Sequence, residues 1–452
     1  MTQALDVGSA AERYAAAFEA FANNGAGSAP AWLKERRERA MARFADVGFP
    51  SGRQEEWRFT DVKPIARVPF TLAPAPEAHG ITAEAVQPHL VGGKPGHAAV
   101  FVNGHFAPEL SSLDRLPAGV TLDSLRGALE RQPDLVQEHL GRHAADERSP
   151  FTALGTAFTS DGALVHVAQG VQLDEPLQLV FLAVPGEGDS YLWHPRILAV
   201  VEDGARATLV ENYAGLGEGA YWTNAVTEVV VGEAANFDTY RVQREGNGAY
   251  HTATTHSQQG RDSKYSLVTF TFGARLSRHD ITAVLDGEGA DCTLDGLSLL
   301  GTEQHTDHHT TLEHAQPNCT SWEYFNGVFD AKSRGVFTGR IIVRPGAQKT
   351  DSKQTNNNLL LTEQARADSQ PQLEIYADDV KCTHGATLGP IDEDHLYYIQ
   401  SRGLTRDDAR ALLTYGFASE ILNAVSLDAL KSDLDARVRG WLAGRAGGSV
   451  TG

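Results

Sequence analysis

The sequence predicts a mainly β protein built as a solenoid, with helical segments at both ends. Three observations lead there. Beyond about residue 150 the chain breaks into short runs such as ALVHVA, LQLVFLAV, NAVTEVVV, YSLVTFTF and GVFTGRIIV, rich in the β-branched and aromatic residues that suit a pleated surface. Clusters of Gly, Asp and Asn such as EDGAR and LDGEGAD separate them, which is turn chemistry. No helical period intervenes, which excludes βαβ layering, and the region is too long for one ordinary sandwich. Strands stacked along one axis accommodate both its length and its irregular turns. No tidy hexapeptide or nonapeptide repeat is visible.

The elements follow in order. Tyr14, Phe18 and Phe21, then Trp32, Ala40 and Phe44, recur near helical spacing amid charge, with Pro30 suited to a helix start. The first 50 residues are therefore expected to be helical. GFPSGRQEEWRFTDVKP (residues 48–64) is turn-rich and carries Trp57 and Phe59, and APAPEAHG reads as a surface linker. Helix returns after Pro390: Asp392 can cap DEDHLYYIQSRG, and Thr405 with Asp408 matches a capping box before a helix with Ala409, Leu412, Leu413 and Phe417 on one face. Leu427, Leu430, Leu434, Val438 and Trp441 stripe a last helix. The expected organisation is an N-terminal helical domain and linker (1–95), a β core (96–388, with regular strands from about 150), a C-terminal helical domain (389–446) and a flexible tail (447–452).

Composition excludes several functions. At 452 residues, with 39 basic and 58 acidic side chains, the chain carries a net charge of −19, which repels nucleic acid and anionic lipid. The longest strongly apolar run, residues 177–185 (LQLVFLAVP), is roughly half of the ~20 residues a spanning helix needs. The N-terminus has no basic residue before Arg13, unlike a secretory or transit segment, so the expected compartment is the cytoplasm. The three cysteines, Cys292, Cys319 and Cys382, are too few and too scattered for a disulfide framework.

Catalytic motifs are missing. No GxxxxGK[ST] occurs, and PGAQKT (345–350) lacks the leading Gly and the spacing. No GxSxG occurs, and His309, Glu313 and His314 spell HxxxEH, one residue too long for the HxxEH zinc pattern. HTDHHTTLEHAQPNC (305–319) gathers metal-capable residues, although polar strands on a solvent-facing β surface collect such residues too, and on a strand His308 and His309 point to opposite faces. Cys382 and His384, in DDVKCTHGATLG (378–389), would share a face if extended, with Cα atoms about 7 Å apart. Their spacing fits two ligands of one iron and equally a packed core thiol beside a hydrogen-bonded histidine. A stable cluster usually takes four protein ligands, so any such site would be half of one, completed by another chain or a small molecule.

FNGVFDAKSRGVFTGRIIVRPGAQKTDSKQTNNNLLL, PQLEIYADDVKCTHGATLGPIDEDHLYYIQSRGL and ALLTYGF resemble the SufD branch of the SufB/SufD family of the SUF iron–sulfur cluster assembly system. GFPSGRQEEWRFTD is similar to that family's N-terminal signature, so the likeness covers nearly the whole chain. The resemblance implies a right-handed parallel β-helix with helical ends. It implies a non-catalytic scaffold that pairs with a SufB-like paralogue and binds a SufC-like ABC-type ATPase, where the ATP hydrolysis resides. It implies that the CxHG motif falls on Cys382, His384 and Gly385, with His384 as the favoured ligand of a nascent cluster shared with the partner and Cys382 as the second. Thr383 stands where Ser is more usual. The cluster would be transient at the partner interface, with none tightly bound by the isolated chain. The same analogy assigns the ATPase contact to residues 401–417, with Arg402, Leu404, Leu413 and Phe417 as candidates, although Leu413 and Phe417 also suit plain packing. Self-association of the isolated chain stays open. A β-helix carbohydrate-active enzyme is the alternative, and a homodimeric metal-binding protein using residues 305–319 is a third reading.

Overall fold

In the computed structural model, which describes residues 7–24, 29–74, 80–186 and 188–446, the β region is a parallel solenoid of about eight turns. From Arg206–Gly215 onward, successive strands join a ten-stranded and an eleven-stranded sheet alternately, ending with Lys381–Gly389 at the edge of the ten-stranded one. Neighbours in each sheet are parallel apart from two pairs at the start, His97–Val102 with His105–Phe106 and Val120–Ser124 with Gly162–Val167. The registers Phe237↔Tyr265, Cys292↔Ser321 and Ser352↔Cys382 step on by roughly 30 residues per coil, so the repeat is longer than a hexapeptide or nonapeptide period.

The period-2 alternation of each strand sends one set of side chains between the sheets. Ile197, Leu209, Leu267, Ile281, Leu294, Leu312 and Ile341 form this continuous core, each contributing about 1.5–3 kcal/mol through burial. Tight turns connect the sheets. Gly204, Ala234, Asp262, Gly289, Asn318 and Lys349 occupy the same turn position in successive coils, all with φ between 51° and 73°. Each donates its N–H to a carbonyl of the next coil, as Gly204 to Glu233 at 2.7 Å and Ala234 to Arg261 at 2.8 Å, so the turns stack with their backbone donors satisfied.

The two outer faces are covered by the chain ends. Helices Val7–Asn24 and Ala31–Val47 bury Tyr14 and Phe44, with Phe49 and Trp57, against Phe151 and the fully buried Trp222 of the eleven-stranded sheet. Helices Arg406–Leu422 and Asp428–Ala446 lay Ala418, Ile421, Leu430, Leu434 and Val438 over Tyr240, Val268, Phe270 and Leu297 of the other sheet. Three short helices that the sequence reading did not mark, Leu125–Arg131, Pro133–His139 and Pro150–Ala157, pack beside the first coils. With seven or eight residues each, they are too short to display a helical period. The sequence reading also put Leu412 on the buried face of its helix; it is 48% exposed, because Ala409, Thr414, Ala418, Ile421 and Leu422 face the sheet instead. Most of the linker read at APAPEAHG (residues 75–79) and the tail at 447–452 lie outside the described residues. Among the described residues no helix is long and apolar enough to cross a membrane.

Candidate functional site

Cys382 and His384 stand on the last strand of the solenoid, which pairs in parallel with Asp351–Leu360 so that Cys382 lies beside Ser352 and His384 beside Gln354. Ser352 and Gln354 are fully buried and point into the space between the sheets. By register, Cys382 and His384 share that face, about 7 Å apart at Cα. No further coil covers this strand among the described residues. Cys382 is consequently half-buried against the end of the core, whereas His384 is exposed. Burial, then the charge of Asp351, pushes the Cys382 thiol up from its ordinary range, so a cation must stabilise its thiolate before it can act as a ligand.

The interior beneath the pair is polar. The column under Cys382 runs Ser352, Ser321, Cys292 and Tyr265. Ser352 and Ser321 hydrogen-bond at 2.7 Å, and Ser321 pairs with His314 Nε2 at 2.9 Å. The column under His384 runs Gln354, Glu323 and Leu294, with Gln354 Nε2 donating to Glu323 Oε2 at 2.5 Å. Burial raises the Glu323 carboxyl to about 7, so near neutral pH it is partly protonated. Cys292 is three strands from Cys382, about 14 Å at the inter-strand spacing, and Cys319 lies in a turn with its thiol on Gly287 O at 3.3 Å. Cys292 therefore shares no cluster-sized site with Cys382. Ser321, Ser352, Glu323 and Gln354 escaped the sequence reading, and the signal that would have found them is the coil period.

The open end is also apolar at its rim. Leu388 on the last strand and Ile375 and Tyr376 at the end of the neighbouring edge strand are 56%, 40% and 59% exposed. Both edge strands, Arg366–Ile375 and Lys381–Gly389, leave backbone groups unpaired on their outer side, the usual template for strand addition by another chain.

The C-terminal candidates separate by environment. Asp392 caps its helix through the N–H groups of Asp394 and His395, and Thr405 accepts from Asp408 N at 3.1 Å while donating to Asp408 Oδ2 at 2.6 Å. Arg402 is exposed and lies 3.8 Å over the Tyr398 ring. Leu404 and Leu413 are half-buried. Phe417 packs partly against the sheet-covering cluster, and its carbonyl accepts from Asn326 Nδ2 at 3.0 Å. Tyr397, Tyr398 and Leu412, at 75%, 55% and 48% exposure, add an apolar surface beside Arg402 that the sequence reading did not mark.

The 305–319 segment has a different use. It is not a solvent-facing strand: Thr306, Asp307, His308, Thr310, Leu312 and His314 are buried. Asp307 accepts from Arg278 at 2.7 Å and Thr60 at 2.5 Å and sits 3.1 Å from His309, and His305 Nε2 meets Thr60 Oγ1 at 2.9 Å. Arg278 stacks 3.7 Å over Trp57 and donates to Glu56 O at 2.8 Å. GRQEEWRFTD is therefore a clamp that fastens the N-terminal region to the solenoid. Among the described residues no three His, Cys, Asp or Glu side chains form a metal-holding group.

Comparison with known proteins places nearly the whole chain in one family. Residues 184–417 match the family model described as SUF system FeS cluster assembly, SufBD core domain, and residues 8–179 match the SufBD protein N-terminal region. An iron–sulfur cluster assembly SufBD family protein of Synechocystis sp. is 33% identical over 89% of this chain and 89% of its own length. The iron–sulfur cluster assembly protein SufD of Escherichia coli is 30% identical (88% and 91%), and that of Bacillus subtilis 27% (90% and 93%). The carbohydrate-active alternative rests on solenoid architecture, Asp, His and Arg residues along the groove and an acidic, Gly-rich composition, and architecture does not carry function.

Proposed function

This chain belongs to the SufBD family of iron–sulfur cluster assembly proteins, and from that premise we propose that it is a non-catalytic scaffold subunit in the cytoplasm. It pairs end to end with a SufB-like paralogue and carries a SufC-like ATPase on its C-terminal helices, so that ATP hydrolysis occurs on the partner. The observation that supports this most is the uncapped last coil, where exposed strand edges, an apolar rim and the Cys382/His384 pair coincide. A second solenoid docked there would cover the rim and complete a ligand set that this chain only half supplies. The cluster is cargo, held at the junction and released.

His384 is the preferred ligand, since an imidazole offers its lone pair from the exposed side, whereas the half-buried Cys382 must first lose its proton. Arg402, Leu404, Leu413 and Phe417, with Tyr397, Tyr398 and Leu412 beside them, form the ATPase-facing region. Co-expression with SufB-like and SufC-like chains tests the reading. The three should co-purify, and His384→Ala should cut reconstituted cluster, read as acid-labile sulfide and visible absorbance, at least several-fold with the Tm of this subunit unchanged. Full cluster yield from His384→Ala would remove the ligand role, and Leu388→Lys without effect on pairing would remove the end-to-end contact.

A further inference from the structure

Far from the open end, a cavity of about 350 Å³ lies between the N-terminal helices and the first coils, bounded by Phe21, Arg37, Phe158, Leu192, Trp193 and His194. Its size is at the lower end of small-molecule sites. Arg37 is 5% exposed. Its Nη2 donates to Thr159 O at 2.5 Å, but among the described residues Nε and Nη1 are buried without a hydrogen-bond partner. No described carboxylate pairs with it. The charge acting on it is Arg126, which also borders the cavity, and burial followed by Arg126 lowers the guanidinium to about 10. Apart from Arg126, its guanidinium meets the Phe21 ring, 5.4 Å away; in a chain with 58 acidic side chains, a buried arginine with no described carboxylate beside it is unusual, because an uncompensated internal charge is costly.

His194 supplies a second unused donor. Trp222 Nε1 donates to Thr252 Oγ1, and Thr252 donates to Asn224 Oδ1 at 2.7 Å. The Asn224 amide is thus fixed with Nδ2 toward Phe151 O (2.8 Å) and His194 Nδ1 (3.0 Å). His194 Nδ1 must accept, which leaves the ring proton on Nε2. Nε2 is buried and has no partner among the described residues. The ring stacks on Phe158 at 5.4 Å, and His194 and Arg37 both border a cavity whose other described walls are largely aromatic and aliphatic.

We propose that this cavity binds a small organic anion, with its charged head on Arg37 and the His194 Nε2–H and its flat apolar body against Phe158 and Trp193. The inference is independent of the cluster-scaffold reading. Among the described residues Glu130 is the one acidic residue bordering the cavity, and it is exposed, so it leaves the buried donors to the ligand. Isothermal titration of the full chain with 1-naphthoate, 1-naphthyl phosphate and neutral 1-naphthamide tests it. An anion should bind at least tenfold more tightly than the amide and, at 100 times its Kd, raise Tm by about 3 °C. The tighter of the two anions identifies the head as carboxylate or phosphate. Arg37→Met should abolish the anion preference, and Leu129→Trp, which narrows the cavity while keeping Arg37, should abolish binding altogether. Equal affinity for anion and amide, or unchanged binding in either variant, would overturn the proposal, as would failure of both anions to bind below 1 mM.

Discussion

Arg278 concentrates the residue-scale physics of this molecule. Its guanidinium is 2% exposed, stacked on Trp57 and paired with both Asp280 and Asp307. Burial alone would raise the Asp307 carboxyl, yet His309 and Arg278, with the Thr60 hydroxyl, hold it far below the usual carboxylate range. Breaking one side of such a buried pair leaves the other charge stranded, at about 3–5 kcal/mol. Asp307→Asn should therefore lower unfolding free energy in urea by that order, while Arg278→Met combined with Asp307→Leu should lose less than the single change. A double variant no better than Asp307→Asn would mean that the clamp acts through shape and not through charge. The sequence displayed these letters without their roles: a run rich in His, Asp and Glu looks metal-capable, and only the register that sets Arg278 beside Asp307 shows the carboxylate to be engaged. Cys382 and His384 were marked in the sequence because their motif is local. Their supporting Ser352 and Gln354 lie a coil away and were not.

At the scale of elements, strands and caps follow from composition, while helix faces and turn conformations depend on what packs against them. Leu412 and Leu413 are neighbours about 100° apart on a helix, so a sheet-covering face need not take both, and periodicity alone did not decide between them. The stacked turns are a second case. Gly204 and Ala234 fill the same left-handed position in consecutive coils, at φ 66° and 55°. Alanine is strained there by about 1–2 kcal/mol, offset in part by the greater unfolded-state entropy of glycine, about 0.4–1 kcal/mol. Ala234→Gly should thus raise stability by up to about 1 kcal/mol. Gly204→Ala should lower it by a similar amount, and through backbone strain alone, since a Cβ at Gly204 meets nothing within 4 Å. Opposite shifts in urea midpoint with unchanged slope would bear this out; shifts of one sign would show that side-chain packing in the turn outweighs the backbone.

For the whole molecule, buried histidines between the sheets and beneath the N-terminal region make stability pH-dependent in a predictable direction. Burial pushes His194 down to about 3 and His256, His305, His308 and His314 down to about 4. In the unfolded chain these rings titrate near 6.5. Below that value the unfolded state takes up protons that the folded state refuses, so their contribution is complete above about pH 6.5 and is lost as pH falls toward 4. Two carboxyls act the other way. Burial raises Glu323 to about 7 and Asp295 to about 6, so the folded state keeps protons that the unfolded state has released, and their contribution is lost as pH rises through those values. These five rings against these two carboxyls contribute an excess of about three protons on the unfolded state near pH 5.5, and with it a rise in stability of roughly 4 kcal/mol per pH unit. Urea unfolding between pH 5 and 7 should show that rise. Glu323→Gln removes one opposing proton and keeps the contact with Gln354, so it should steepen the rise between pH 5 and 6.5 by up to about 1.4 kcal/mol per unit. A flat profile in the native chain would mean that water reaches these buried histidines; an unchanged slope in Glu323→Gln would mean that the Glu323 carboxyl, beneath His384, is ionised in the folded state and that the polar column leading to the open end is hydrated.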